Sequence, residues 1–277
     1  MSVTGEAPGR FEAPRVDRAF RVVSAVVRAR FWELGVLVLL FVAYNVVRAL
    51  PSTTAEIAVE HAQRVLTWEG PLFSHLERPL NRWLALASVP AVAACYFYAG
   101  LHYLATPAVL LMARRRGGWP YWRGYWTLVL ASALALVGYA VFPTAPPRLV
   151  PSLGIVDVMR SYADFGWWGS AASAPRGIGD ATNQYAAMPS MHFGWALWCA
   201  IQMWGFGSRP WRVLATVYPS ALIVIVLATG NHFVVDVLVG GACVVAAQVT
   251  VEIAHRARTR GWRPGPSPAV VTGPRHG

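Results

Sequence analysis

The sequence contains no lysine, few cysteines and few charged residues. All 24 of its basic residues are arginine, and charged side chains make up only 13% of the 277 residues. An average soluble domain is about 25% charged, so this shortage argues against a soluble protein. The hydrophobic fraction of 56% points the same way, and we interpret the chain as an all-α membrane protein.

The three cysteines, Cys95, Cys199 and Cys243, each lie in an apolar run and show no metal-ligand spacing. This pattern predicts small buried side chains and gives no disulfide framework. A formal net charge of +11 would suit a nucleic acid, but the arginines are scattered between apolar segments instead of forming a basic patch. We therefore expect no nucleic-acid partner.

Long apolar segments predict six transmembrane helices, because about 20 apolar residues are needed to cross about 30 Å of hydrocarbon. Their approximate bounds are 31–50, 84–112, 125–142, 190–206, 213–229 and 232–254. We expect one polytopic membrane domain over residues 15–263. The tails at 1–14 and 264–277 are rich in proline, glycine and small residues, which favours disorder.

Two connections between the spans are expected to be structured. In residues 51–83, apolar positions 58, 62, 65 and 66 follow helical spacing, which predicts interfacial helices on the outer face of the membrane. The outer loop at 143–189 contains six prolines, five glycines and the pair Trp167 and Trp168. Tryptophan is enriched at membrane interfaces, so we expect this loop to be an ordered interfacial segment.

The arginine distribution predicts the orientation, because short loops rich in lysine or arginine stay in the cytoplasm. Placing both termini in the cytoplasm leaves 17 arginines on that side and seven on the other. The sequence therefore predicts a multi-pass protein of the plasma membrane with cytoplasmic N- and C-termini.

This topology brings three polar stretches to the extracytoplasmic face. They are FPTAPPRL at 142–149, AMPSMHFGW at 187–195 and TGNHFVVD at 229–236. Ionisable side chains within membrane helices cost free energy, so a group of them at one depth predicts a functional site. The expected site lies on the extracytoplasmic side and contains His192, His232, Asp236 and Arg148.

Two histidines and a carboxylate support phosphoryl transfer. Asp236 would orient the His232 ring so that its other nitrogen attacks phosphorus. His192 would protonate the departing alkoxide and later deprotonate the incoming hydroxyl. The candidate phosphate-binding groups are Arg148, Ser190 and Arg48. This mechanism requires no metal and no cofactor.

At these residues the chain resembles the type-2 phosphatidic acid phosphatase superfamily of membrane enzymes. Its Pro-Ser-x-His motif is matched by Pro189 to His192, and its His-x-x-x-Asp motif by His232 and Asp236. Two positions depart from the usual pattern: PTAPPRL replaces a motif that begins with lysine, and Val226 stands where the third motif has arginine. The resemblance implies a six-helix bundle with a metal-independent site at one membrane face.

The stretches AMPSMH and GNHFVVDV are more similar to the branch that contains inositol phosphorylceramide synthases and sphingomyelin synthases. This resemblance implies a transferase that moves a phospho-headgroup, for example a phosphoinositol-like one, through a phospho-histidine intermediate. Its partners would be a lipid phosphate ester as donor and a lipid or polyol hydroxyl as acceptor, both drawn from the membrane.

Three alternatives remain open. The same motifs suit a phosphatase that acts on a lipid phosphate or a polyprenyl (pyro)phosphate. Intramembrane ionisable residues also suit a proton-coupled transporter with a His/Asp relay. A zinc hydrolase that uses His192, His232 and Asp236 as ligands has a possible ligand count as well.

One further pair of polar residues lies within an apolar segment. Tyr98 and His102 are four residues apart in the second predicted span. We interpret them as hydrogen-bonding core residues in its cytoplasmic half.

Overall fold

The computed structural model describes residues 32–40, 42–43, 46–47, 55–168 and 184–261 of the chain. It consists of two units, residues 1–43 and 44–277. In the first unit the described residues are helical. The remainder of the predicted first span, Arg48 within it, and both predicted tails lie outside the described residues. The predicted site falls in the second unit.

The described part of the second unit is helical and contains no β-strand. Its α-helices are α1 Ala55–Glu69, α2 Arg78–Leu86, α3 Ser88–Tyr96, α4 His102–Arg116, α5 Gly118–Val141, α6 Val158–Ser161, α7 Met191–Gly205, α8 Arg209–Ala228 and α9 Val234–Gly261. Two π-helical turns accompany them: π1, Phe73–Glu77, precedes α2, and π2, Phe97–Leu101, joins α3 to α4. The all-α prediction is confirmed for this part of the chain.

Four helical stretches among the described residues are long and apolar enough to cross a membrane. They are Ser88–Arg116, Gly118–Val141, Arg209–Ala228 and Val234–Arg260. They correspond to four of the six predicted spans, and such apolar helices indicate a membrane protein. The predicted span at 190–206 forms α7, whose 15 residues extend about 22 Å at 1.5 Å per residue. That length is short of the roughly 30 Å of hydrocarbon.

Helix α7 lies inside the bundle, packed against α4, α5, α8 and α9. Trp198 and Cys199 are fully buried on it, and the Trp198 indole N–H donates to the Gly124 carbonyl oxygen at 2.8 Å. A helix that neighbours cover on all sides does not need to reach across the bilayer by itself. Burial of Cys95 and Cys199 confirms their prediction, whereas Cys243 is only half-buried.

The bundle has two chemically different ends. At one end, the Arg116 guanidinium lies over the Phe206 ring, 4.1 Å from its centroid, where α4 ends beside the end of α7. At the other end, the Ser190 amide donates to the Asp236 carbonyl oxygen at 2.9 Å, where α7 and α9 begin. The predicted polar stretches therefore share the end opposite Arg114 to Arg116.

Helix α1 packs over the polar end of the bundle. Ala58, Ala62 and Val65 are at most 1% exposed and belong to a small apolar cluster that includes Met188 and Phe233. The stripe that we predicted to lie in the membrane interface is therefore buried against protein. Its helical spacing was read correctly, but the surface that covers it is formed by residues distant in sequence.

The described parts of the outer loop are held to the bundle by hydrogen bonds. Thr144 pairs with the returning segment of the loop, because its amide donates to the Tyr185 carbonyl at 2.7 Å and its carbonyl accepts from the Ala187 amide at 3.1 Å. Trp168 is fully buried, and its indole N–H donates to the Met159 carbonyl at 3.0 Å. Both ends of the loop are thus fixed beside the start of α7.

Candidate active site

The three polar stretches are brought together by short backbone contacts. Ser190 meets α9 through the bond to the Asp236 carbonyl described above, and the Arg148 amide donates to the Gly230 carbonyl at 3.0 Å. Gly230 has φ of +71°, a left-handed conformation that glycine adopts at low cost. This residue allows the chain to turn from α8 into α9 directly under Arg148, so the sequence-predicted residues converge.

His232 is held at its Nδ1 atom. Nδ1 lies 2.9 Å from the Ala187 carbonyl oxygen and 3.5 Å from Oδ2 of Asp236. A carbonyl oxygen only accepts hydrogen bonds, so Nδ1 carries the proton, and in the neutral ring Nε2 has the free lone pair. Asp236 thus faces the ring as predicted, but the shorter bond that fixes the tautomer comes from the Ala187 backbone.

His192 lies beside His232 in the orientation of two groups that flank one reactant. Their ring centroids are 5.7 Å apart with an angle of 57° between the planes. Nε2 of each ring is buried and has no hydrogen-bond partner within the described residues. Two neighbouring rings, each with a buried and unpartnered Nε2, suit a ligand that contacts both.

Tyr98 and His102 are buried, as their interpretation as core residues predicts, and both also contact His192. The Tyr98 ring stacks on His192 with centroids 4.2 Å apart. His102 meets the same imidazole edge-on at 4.6 Å. Tyr98 lies within π2, and π turns inside α-helices are frequent at functional sites. Spacing in the sequence showed that the two residues share a helix face, but not which neighbour that face contacts.

The start of α9 is capped by three carboxylates. Helices leave their first backbone amides without partners inside the helix. Here each of three successive amides donates to a carboxylate oxygen. The pairs are Phe233 to Asp236 at 2.8 Å, Val234 to Glu77 at 2.7 Å, and Val235 to Glu69 at 2.7 Å. Negative charge at this position is favoured by the helix dipole. The amides that often bind phosphate at a helix start are therefore already occupied on α9.

Glu69 and Glu77 were not among the residues predicted for the site. They are 7% and 1% exposed, and they reach α9 from α1 and π1. Burial, followed by the charge of Glu69, raises the pKa of Glu77 to about 9. Burial also raises the pKa of the Glu69 carboxyl. No motif marked these residues, because their partners lie 157 and 166 positions away.

Helix α7 begins differently from α9. Its N-cap residue, Ser190, makes no side-chain capping bond, and the buried Ser190 hydroxyl has no partner within the described residues. Among the described residues, the amides of Met191, His192 and Phe193 donate to no carbonyl or side chain. An uncapped helix start with a free hydroxyl suits an anion.

Arg148 is fixed at the edge of the site. Its Nε donates to Oδ1 of Asn231 at 2.9 Å, and Nη1 donates to Oδ2 of Asp157 at 3.0 Å. The side chain is only 2% exposed, so two polar partners orient a guanidinium that is almost fully covered. Nη2 makes no hydrogen bond within the described residues, which leaves one edge of the guanidinium for a ligand.

Among the described residues, no group of three or more histidine, cysteine, aspartate or glutamate side chains is placed to hold a metal ion. The three residues of the zinc alternative illustrate why. Asp236 approaches His232 from its Nδ1 side, whereas the unoccupied nitrogen of that ring is Nε2.

Comparison with known proteins agrees with this geometry. The family model of the PAP2 superfamily matches residues 63–250. The chain belongs to the PAP2 superfamily. The match includes both predicted motifs and also Glu69, Glu77, Tyr98 and His102. PAP2 membership suggests lipid phosphatase or phosphotransferase activity and supports an enzyme of this type. No curated protein and no solved structure matches the chain.

Proposed function

We propose that this PAP2 protein is a phosphotransferase that moves a phospho-headgroup between membrane lipids through a phospho-histidine on His232. The observation that carries the proposal is the pair of imidazoles 5.7 Å apart, each with a buried and unpartnered Nε2. The two rings are neighbours and both Nε2 atoms are unpartnered, so in this proposal one phosphoryl group contacts both rings.

In the first half-reaction, the Nε2 lone pair of His232 attacks the donor phosphorus. The N–P bond forms while the bond from phosphorus to the donor lipid oxygen breaks. His192, in its protonated form, transfers its proton to the departing alkoxide. The Ala187 carbonyl and Asp236 stabilise the positive charge that develops on the His232 ring, because both lie on its Nδ1 side.

In the second half-reaction, His192 is neutral and accepts the proton of the incoming hydroxyl. The oxygen of that hydroxyl attacks phosphorus, the N–P bond breaks, and His232 regains its lone pair. Each proton that His192 gives up in the first step is recovered in the second, so the cycle needs no other acid or base.

Charge on the phosphoryl oxygens needs nearby donors. The Ser190 hydroxyl, the free amides at the start of α7 and the Nη2 edge of Arg148 supply them in this proposal. Arg48, the other predicted phosphate-binding residue, lies outside the described residues and stays a prediction. The same holds for the extracytoplasmic, plasma-membrane location of the site, which rests on the arginine distribution.

Transferase and phosphatase differ in whether a lipid or polyol hydroxyl or water attacks the phospho-histidine. Burial of both Nε2 atoms supports the transferase, since a site that excludes water favours a positioned alcohol. The described parts of the outer loop, with Trp168 packed on Tyr96 just before π2, provide part of that cover. The phosphatase remains the second candidate, because PAP2 membership suggests it equally. Membership favours either enzyme over a proton-coupled transporter.

The test uses purified enzyme in liposomes with a labelled phospholipid donor. We expect slow donor loss without acceptor, and faster loss with a new phosphodiester product when the matching lipid alcohol or polyol is added. His232→Ala is the inactive control. Rapid release of the headgroup phosphate that no added alcohol changes would support the phosphatase and contradict the transferase.

A further inference from the structure

The buried carboxyl pair Glu69 and Glu77 takes no part in the chemistry above, yet it holds the helix that carries Asp236. Each residue uses one oxygen, Oε1, to accept an amide at the start of α9 at 2.7 Å. Those two amides follow His232 by only two and three positions. Any movement of the pair therefore moves the His232 turn.

The second oxygens of the pair indicate a shared proton. Oε2 of Glu69 and Oε2 of Glu77 are buried, and neither has a hydrogen-bond partner among the described residues. The two carboxyl groups lie close together, because their Oε1 atoms accept the amides of the neighbouring residues Val235 and Val234. Two ionised carboxylates buried this close without further donors repel each other, so a proton on one of them lowers the cost of burying the pair.

The charges around the pair make the shared proton necessary. Asp236 on α9 is the titratable group that faces both carboxyls, and it adds negative charge. His232 lies beyond it, with Nδ1 3.5 Å from the Asp236 carboxylate. Like charges at close range disfavour ionisation of all members, whereas one proton leaves the pair with a single negative charge on the helix dipole.

We propose that Glu69 and Glu77 are positioning residues of the active site, and that together they hold the start of α9, and with it His232 and Asp236, by sharing one proton. The positioning role rests on the proposed function of His232 as the nucleophile. The shared proton does not, since it follows from the contacts of the pair alone.

This arrangement is sensitive to alkaline pH. Glu77 has its pKa raised from 4.5 to about 9, so the folded state holds a proton that the unfolded chain releases. Its contribution to stability is complete below pH 4.5 and is lost as the pH rises towards 9. Above that, two adjacent charges repel and release the two amides of α9.

Three variants separate positioning from packing. Glu77→Gln keeps an oxygen for the Val234 amide and brings N–H groups that can bond to Glu69. Glu77→Leu keeps the volume but removes both contacts. Glu60→Gln is the control, because Glu60 is on α1, exposed, and paired only with Arg64.

For the activity assay, the enzyme is reconstituted with its phospholipid donor and acceptor. We expect Glu77→Leu to lower kcat by about 10²-fold with little change in KM, as for a nucleophile that is displaced by about 1 Å. Glu77→Gln should recover most of that loss. It should also keep its activity at pH 8 to 9, where the wild type declines. Equal loss of kcat in Gln and Leu variants, or parallel pH profiles for Gln and wild type, would overturn the positioning role.

A measurement without substrate tests the shared proton independently. At neutral pH, the wild type should show an infrared carboxylic acid band that Glu77→Gln removes and Glu60→Gln retains. Its melting temperature should fall between pH 4.5 and 9 relative to that of Glu77→Gln. Absence of the band together with parallel melting profiles would overturn the pair. If both appear but no phosphoryl transfer is found, the proposed function fails and the shared proton stands. The infrared band and the melting profile also test the shared proton if Glu77→Leu does not fold, because neither measurement uses that variant.

Discussion

Ser190 lies so close to Gly240 that no side chain fits between them. A Cβ atom on Gly240 would be 2.2 Å from the Ser190 carbonyl oxygen and 2.9 Å from its carbonyl carbon. Both contacts are with backbone, which cannot rotate away as a flexible side chain can. Helix α9 therefore touches the start of α7 directly, one turn after Asp236, and this contact sets the distance between the motif at Pro189 to His192 and the motif at His232 to Asp236.

Gly240→Ala should destabilise the protein by about 1–3 kcal/mol, the usual cost of overpacking, and should lower kcat because Ser190 and His192 move away from His232. Gly205→Ala is the control, since a Cβ there meets nothing within 4 Å. Thermal unfolding and kcat measured on both variants check this. Wild-type behaviour of Gly240→Ala would mean that the two helices can separate without consequence.

The two histidines should fail in different steps. His232→Ala should form no phospho-enzyme with any donor, because the nucleophile is gone. His192→Ala should lower kcat by about 10²–10⁴-fold, and a donor whose leaving group needs no proton should restore the first step. Acid-quenched labelling of the protein measures both. Phospho-enzyme in His232→Ala would exclude that residue as the nucleophile.

Tyr98 should act on His192 through its ring. Tyr98→Leu removes the stacked partner and should reduce kcat roughly 3- to 10-fold, in line with about 0.5–1.5 kcal/mol for an aromatic pair. Tyr98→Phe keeps the ring and should retain most of the activity that Tyr98→Leu loses. Steady-state kinetics on the pair of variants tests this. A larger loss in Phe than in Leu would assign the role to the hydroxyl group instead.

Metal removal distinguishes the imidazole mechanism from the zinc alternative. We expect activity to survive exhaustive chelation, because the proposed mechanism uses no metal ion. A zinc hydrolase would instead lose its activating ion and its activity. Metal analysis of the purified protein should accompany the assay. Stoichiometric zinc together with chelator-sensitive turnover would replace the proposed mechanism.

Sidedness can be measured with single cysteines in a chain that lacks Cys95, Cys199 and Cys243. Phe165→Cys lies near the site end and Arg115→Cys at the opposite end, both at exposed positions. An impermeant thiol reagent on intact cells should label position 165, and should label position 115 only after permeabilisation. Labelling in the reverse order would place the site in the cytoplasm.

The sequence predicted the parts of the site that depend on short spacing. His232 and Asp236 are only four residues apart, so they stay close together although His232 precedes the first residue of α9, and Pro189 to His192 form a helix start by local rules. Alternation of the spans then placed both at one end of the bundle. These inferences needed only periodicity and the order of the helices.

The sequence did not predict contacts that depend on packing. Nothing local distinguishes buried Glu77 from an exposed acid such as Glu60, since the difference lies in the approach of α9. Helix α7 was predicted as a full span because its composition is apolar, but composition alone does not give its length of 15 residues. Spacing alone also does not give depth within the bundle, so it did not show that His102 lies beside His192.

The π turn at Phe97–Leu101 carries a consequence for chain length. It accommodates one residue more than the same stretch of α-helix would, so deleting one residue would return the helix to regular register. Residues beyond the turn would keep their direction, because the wide turn absorbs the extra residue locally. His102 would still face His192, and Tyr96 with the tryptophans packed on it would stay in place, whereas Tyr98 inside the turn would be displaced from its stack on His192. Homologues or variants shortened by one residue here would keep the membrane span and lose one wall of the site.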